Sequence, residues 1–253
     1  MIKIKVYDGS FEGFLTTVFE IFEEKILEVQ IQNQLHASPN FFDSTEMVHT
    51  NRQIADRVWK GLSKYCSKKG KSHIYRAFLS EQGGTENILL HYIKRCIDER
   101  KCILQDYADP QILKLAQRVK KVGREKHRMD AFVRFKETKD GVYFAVIEPD
   151  FNVLPLIIPH FKSRYADQQW IIYDMRRNYG VHYNLEDVTQ ITLDRTPQIT
   201  TNPSFFSSEE KSFELLWRNY FKSTNIASRK NHTLHQQHVP KRYWKYLSEK
   251  IPD

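Results

Sequence analysis

Near the start of the chain Ile2, Ile4 and Val6 alternate with Lys3, Lys5 and Tyr7, a period of two that predicts a strand with one buried face. Asp8-Gly9-Ser10 turns the chain, with Ser10 placed to cap a helix. Phe11, Phe14, Leu15, Val18, Phe19 and Phe22 then recur at helical spacing, while Glu12, Glu20, Glu23 and Glu24 fall elsewhere, which predicts an amphipathic helix. Leu27 to Asn33 reads as a short second strand. A helical block follows. Thr50 to Gln53 has the form of a capping box before Ile54, Val58 and Leu62. Thr85 stands where it would cap the helix of Ile88, Leu89, Tyr92, Ile93 and Cys96. Asp109-Pro110 opens another helix through Ile112, Leu115 and Val119, with Gly123 as its stop.

The pattern changes near residue 130. Ala131 to Lys136 and Val142 to Glu148 are β-rich runs joined by Thr138-Lys139-Asp140-Gly141, a hairpin signal because Asp-Gly readily takes positive φ. Leu154, Ile157, Ile158 and Phe161 predict a short helix, and Gln169 to Asp174 and Val181 to Leu185 two more strands around a turn at Asn178-Tyr179-Gly180. Ser207 to Glu210 forms another capping box, followed by the stripe Phe213, Leu216, Trp217, Tyr220 and Phe221. A last short helix is expected near Tyr243 to Leu247. Helices and antiparallel strands are thus segregated, which predicts an α+β fold rather than a parallel doubly wound sheet. We expect one composite domain: a mainly helical part over 1–127, an antiparallel hairpin–helix–hairpin part over 128–195, and a basic helical tail over 196–253 packing back on the core.

Composition sharpens this reading. Of 253 residues, 40% are apolar and 13% aromatic, enough for a sizeable core and against disorder. A net charge of +8 favours polyanionic partners, nucleic acid or an anionic membrane surface. Cys66, Cys96 and Cys102 have no CxxC spacing, which argues against a disulfide framework or a thiolate zinc site; Cys96 falls on an apolar helical stripe as a small buried hydrophobe. MIKIKVYDGS lacks a signal peptide's apolar core and no run is long enough to span a bilayer, so the expected place is the cytoplasm, without membrane attachment.

Candidate chemistry gathers in two places. Between Arg128 and Asn184, Glu148, His160 and Asp174 are candidate acid–base groups, while Arg134, Arg164, Arg176 and Arg177 offer planar forks for phosphate. Tyrosines including Tyr183 lie among them, a mixture suited to stacked, unpaired or flipped bases. Ion pairing at strand ends is the alternative for Glu148 and Asp174, and a packed core the alternative for the rings. In the tail, Lys211 to Tyr246 carries eight basic residues against one acid. Arg218, Lys222, Arg229, Lys230, Lys241, Arg242 and Trp244 are its candidate nucleic-acid contacts. Basic residues from Lys60 to Lys71 and from Lys120 to Lys126 read as solvated helix surface. No HExxH, Walker loop, GxSxG or glycine-rich dinucleotide turn occurs; His232, His235 and His238 lack an acidic partner, and neither a metal nor a cofactor is assigned.

The segments VYDGSFEGFLTTVFEIF, RMDAFVRF, YFAVIEP, HFKSRY, WIIYDMRRNYGVHY, LWRNYFKSTNIASRKN and HVPKRYWKYLSE together resemble the uncharacterised bacterial family labelled "probable DNA metabolism protein". The resemblance runs over essentially the whole chain. It implies a genetic setting of DNA repair or modification, because such proteins are encoded beside a radical-SAM protein and a similar domain occurs fused to a uracil-DNA-glycosylase-like domain. It implies no catalytic residues. The chain lacks the CxxxCxxC cluster motif of the radical-SAM protein, so any iron–sulfur chemistry would belong to that partner. Three readings stand: an accessory protein binding single-stranded or damaged DNA beside such a partner; an enzyme with Glu148 or Asp174 as base and His160 as its partner; and a protein-binding assembly factor.

Overall fold

The computed structural model describes residues 2–36, 44–193, 205–224 and 236–250, arranged in two compact units, Met1–Gly123 and Arg124–Asp253. The chain is a mixed α+β protein with one sheet in each unit.

In the first unit β1 (Lys3–Tyr7) leads through the Ser10 cap into α1 (Phe11–Glu23), where the serine hydroxyl accepts from the Gly13 amide at 2.9 Å. β2 (Val29–Asn33) and β3 (Ser44–Met47) pair with β1 on either side, both in parallel. The alternation expected for β1 therefore fails: Lys5 and Tyr7 are buried together with Ile4 and Val6, because a central parallel strand is covered on both faces. Lys5 keeps its charge by reaching Glu24 at 2.7 Å, Glu20 at 2.9 Å and Glu46 at 3.0 Å. Burial opposes that charge, but the three carboxylates outweigh it and hold the ammonium pKa above its ordinary value.

Several caps differ from expectation by one residue. α2 (Arg52–Gly61) is capped by Asn51, whose side-chain oxygen accepts from Gln53 N at 3.0 Å and Ile54 N at 3.2 Å; Thr50 instead donates to Asp8 at 2.8 Å. After a 3-10 turn at Leu62–Lys64, α3 (Lys68–Phe78) starts at the Ser67 cap in a stretch whose lysines hide the helical period. α4 (Thr85–Asp98) begins after Gly84, at φ 72°, while Thr85 donates to Gln82 O at 2.5 Å. α5 (Pro110–Phe132) runs straight through Gly123, the expected stop. A mid-helix glycine costs only about 1 kcal/mol, and the adjoining Val122, like Met129 further along the helix, is buried.

In the second unit the strand order is β4 (Lys136–Glu137), β5 (Tyr143–Ile147), β6 (Trp170–Asp174), β7 (Tyr179–Tyr183) and β8 (Val188–Ile191). Two hairpins flank α6 (Leu154–Arg164) in the anticipated order. The sheet is mixed rather than antiparallel, because α6 acts as a crossover and leaves β5 and β6 parallel. β4 is only two residues long, since Ala131 and Phe132 complete α5 instead of starting a strand. Gly141, at φ 74°, supplies the turn into β5. Trp170 on the central strand packs among Phe135, Phe161 and Tyr183. α7 (Glu210–Thr224) and a 3-10 segment at Lys241–Tyr246 complete the described part of the unit.

Candidate functional site

The second unit contains a cavity of about 900 Å³ between the C-terminal end of α5, β5, α6, α7 and the 3-10 segment. The sequence of α6 explains its part: Leu154, Ile157 and Phe161 bury one face, which leaves His160 and Arg164, one turn apart, to line the cavity. Neither side chain has a hydrogen bond or ion pair among the described residues. The His160 ring meets Phe161 edge-on at 5.0 Å, and the Arg164 guanidinium lies over Tyr165 at 5.8 Å. α7 contributes Phe213 and Trp217, whose side chains remain 55% and 39% exposed although they sit on the cavity wall.

Other charges on the wall are engaged. Arg134 donates to Glu249 at 2.9 Å and to the Ala131 carbonyl at 2.7 Å, and lies over the Trp217 ring at 5.5 Å. Lys136 pairs with Glu214. Glu210 accepts from the Glu137 amide at 3.0 Å; burial raises its pKa more than that amide lowers it. Lys245 and Tyr246 both donate to Glu148, the hydroxyl at 2.7 Å. These contacts hold the Glu148 carboxyl below its ordinary pKa, while burial, with Glu148 beside it, pushes Tyr246 up to about 12.

The residues expected to act as acid and base do not converge. His160 lines the cavity, but Glu148 and Asp174 do not. Asp174 is fully buried, accepts from the amides of Arg176 at 2.9 Å and Arg177 at 3.3 Å, and pairs with the Arg177 guanidinium at 2.8 Å. It thus closes the β6–β7 turn, and burial raises its pKa despite Arg177.

Most arginines chosen as phosphate forks already hold protein oxygens. Arg177 also donates to the Pro149 carbonyl at 3.2 Å, and Arg176 lies 3.8 Å from the Asp150 carboxylate. Arg242 pairs with Asp150 at 2.7 Å and with Glu125 at 3.3 Å. Glu125 is a buried carboxylate that sequence reading missed; it also accepts from the Tyr243 hydroxyl and from the Asp150 amide at 2.9 Å. Its only signal was an acid on α5 between the apolar Val122 and Met129. Tyr183 is a core residue whose hydroxyl donates to the carbonyls of Leu185 at 2.6 Å and Ala166 at 3.1 Å, so its ring is not open to a base. Trp244 donates to the Val239 carbonyl at 3.0 Å. Arg218 and Lys222 lie on α7 and Lys241 is exposed. Arg229, Lys230, His232 and His235 lie outside the described residues.

Fold and site together define a two-unit α+β chain with an aromatic, partly cationic cavity in its second unit. A family model, described as a domain of unknown function (DUF4130), matches residues 83–249, and the chain belongs to that family. No curated protein is significantly similar in sequence. Among solved structures, a pGpG-specific phosphodiesterase, PggH of Vibrio cholerae, aligns over 79% of this chain and 96% of its own, at 10% identity and a TM-score of 0.32. That likeness is too slight to bear on fold or chemistry. Among the described residues no helix is long and apolar enough to cross a membrane.

Proposed function

We propose that this protein is a nucleic-acid-binding accessory protein of DNA repair or modification, and that its cavity receives an exposed base or nucleotide of a single-stranded or damaged strand. The observation that carries the reading is that Arg164 and His160, which make no hydrogen bond or ion pair among the described residues, share one cavity with the partly exposed rings of Phe213 and Trp217. Rings accept any base by its π-face, at about 1–3 kcal/mol per stacked base, and a free guanidinium can hold the adjoining phosphate. The resemblance to proteins encoded beside a radical-SAM enzyme, or fused to a glycosylase-like domain, supports a setting in which the chain presents DNA to such a partner.

The test is fluorescence anisotropy of the full chain with single-stranded DNA, intact duplex and a duplex containing unpaired bases. Arg164→Ala and Trp217→Ala are each expected to weaken binding to the strands with exposed bases by roughly tenfold, about 1.4 kcal/mol, and to leave intact duplex unaffected. Unchanged affinity for the exposed-base strands in both variants would overturn the assignment.

A further inference from the structure

The first unit carries a concentration of positive charge that the cavity does not use. Residues 51–80 contain eight lysines and arginines against one acid, Asp56. In the second unit Arg134, Arg177, Arg242 and Lys245 are each bound to carboxylates. By contrast Arg57, Lys60, Lys64, Lys68 and Lys69 are exposed and make no hydrogen bond or ion pair through their side chains among the described residues.

Geometry brings these residues together. Arg57, Lys60 and Lys64 follow at intervals of three and four along α2 and the 3-10 turn, which places them on one side of that rod. Lys71, in the first turn of α3, donates to Ser63 at 2.9 Å and sits over the Trp59 ring at 4.3 Å. That contact holds the lysine-rich start of α3 against the end of α2. Neither helix has an acid in its first turn, so Lys68 and Lys69 add positive charge to the positive end of the α3 dipole. Such an arrangement opposes folding and favours an anion.

We infer that the end of α2, the 3-10 turn and the first turn of α3 form a surface that grips the phosphate backbone of nucleic acid. The inference rests on the nucleic-acid reading above for the class of polyanion, but uses a different surface. A membrane is the poorer occupant: among described residues no large apolar side chain is exposed between Val48 and Cys102, so nothing on this face would enter lipid. Phosphates spaced along a strand match a row of lysines with no apolar residue exposed among them, and each one neutralised adds about 0.9 to the salt slope of binding to duplex.

The experiment uses the full chain with Lys60, Lys64, Lys68 and Lys69 changed to Gln, and a fluorescent lesion-free duplex titrated over a range of salt. The slope of log affinity against log salt should fall by about three to four, with weaker binding at low salt. The matching Lys→Arg variant should keep the wild-type slope, and circular dichroism should report an unchanged fold for both. An unaltered slope in the Gln variant overturns the inference, as does equal lysine-dependent binding to vesicles of anionic phospholipid without binding to duplex. Arg164→Ala should leave this slope intact. A failure of the cavity reading and a failure of this surface would therefore be seen separately.

Discussion

Asp174 and Arg177 form a buried ion pair within one turn, Nη1 lying 2.8 Å from Oδ2, with the carboxylate wholly withdrawn from solvent. The guanidinium neutralises a charge that the fold has buried and braces the carbonyls of Pro149 and Asp150. Removing one partner strands the other. Arg177→Ala should lower the unfolding free energy by about 3–5 kcal/mol, and adding Asp174→Asn should restore part of it. Urea denaturation of the two variants measures both steps. A loss no larger than the ~1 kcal/mol of a surface pair would contradict this role.

The contacts of Glu148 with Lys245 and Tyr246 give the second unit a pH window. Glu148 has a depressed folded pKa, so its contribution is present above the ordinary glutamate value and is lost as pH falls through the folded one. Tyr246 is raised from 10.0 to about 12, so its contribution is intact below pH 10 and is lost as pH rises through that interval. The protection of amides in the segment Lys241–Tyr246, taken relative to unstructured-chain exchange at each pH, should therefore fall at both extremes. In Glu148→Gln the acid limb should disappear; an identical acid limb in that variant would refute the assignment.

Lys5 is the counterpart in the first unit. Lys5→Met would remove the buried ammonium that joins Glu20, Glu24 and Glu46, leaving Lys3 to pair with Glu24 at 2.6 Å and Glu46 at 2.7 Å and Glu20 without its cation. Because the carboxylates are partly exposed, the expected loss sits at the low end for a broken buried pair, about 3 kcal/mol. High salt should recover some of it by screening the carboxylates. Thermal unfolding at two ionic strengths checks both statements.

Gly180 faces Tyr173 across the β6–β7 ladder. A Cβ there would stand 2.9 Å from the Ile172 carbonyl oxygen and 3.2 Å from Tyr173 Cα, so the backbone of a central strand would have to move. Gly180→Ala should cost about 1–3 kcal/mol through overpacking, although alanine has the better intrinsic strand propensity. A denaturation midpoint equal to wild type would show that the sheet yields more easily than this spacing implies.

Local features were legible in the residues themselves. The Ser10 cap, the apolar stripe of α1, the Asp140-Gly141 turn and the buried side of α6 each depend on neighbours within a few positions, and side-chain period records such backbone geometry directly. His160 and Arg164 were identifiable as candidates by residue type, and the basic stretch around Lys60 to Lys71 by count alone.

Tertiary structure decided the remainder, because it depends on partners far apart in the chain. Parallel pairing on both sides buried Lys5 and Tyr7, and the α6 crossover made β5 and β6 parallel. Arg134 met Glu249, Arg242 met Glu125 and Lys245 met Glu148, each across roughly a hundred positions, which turned expected phosphate ligands into struts. A guanidinium's reach and preference are written in its residue type, but whether a carboxylate is already there is settled only when the chain closes on itself.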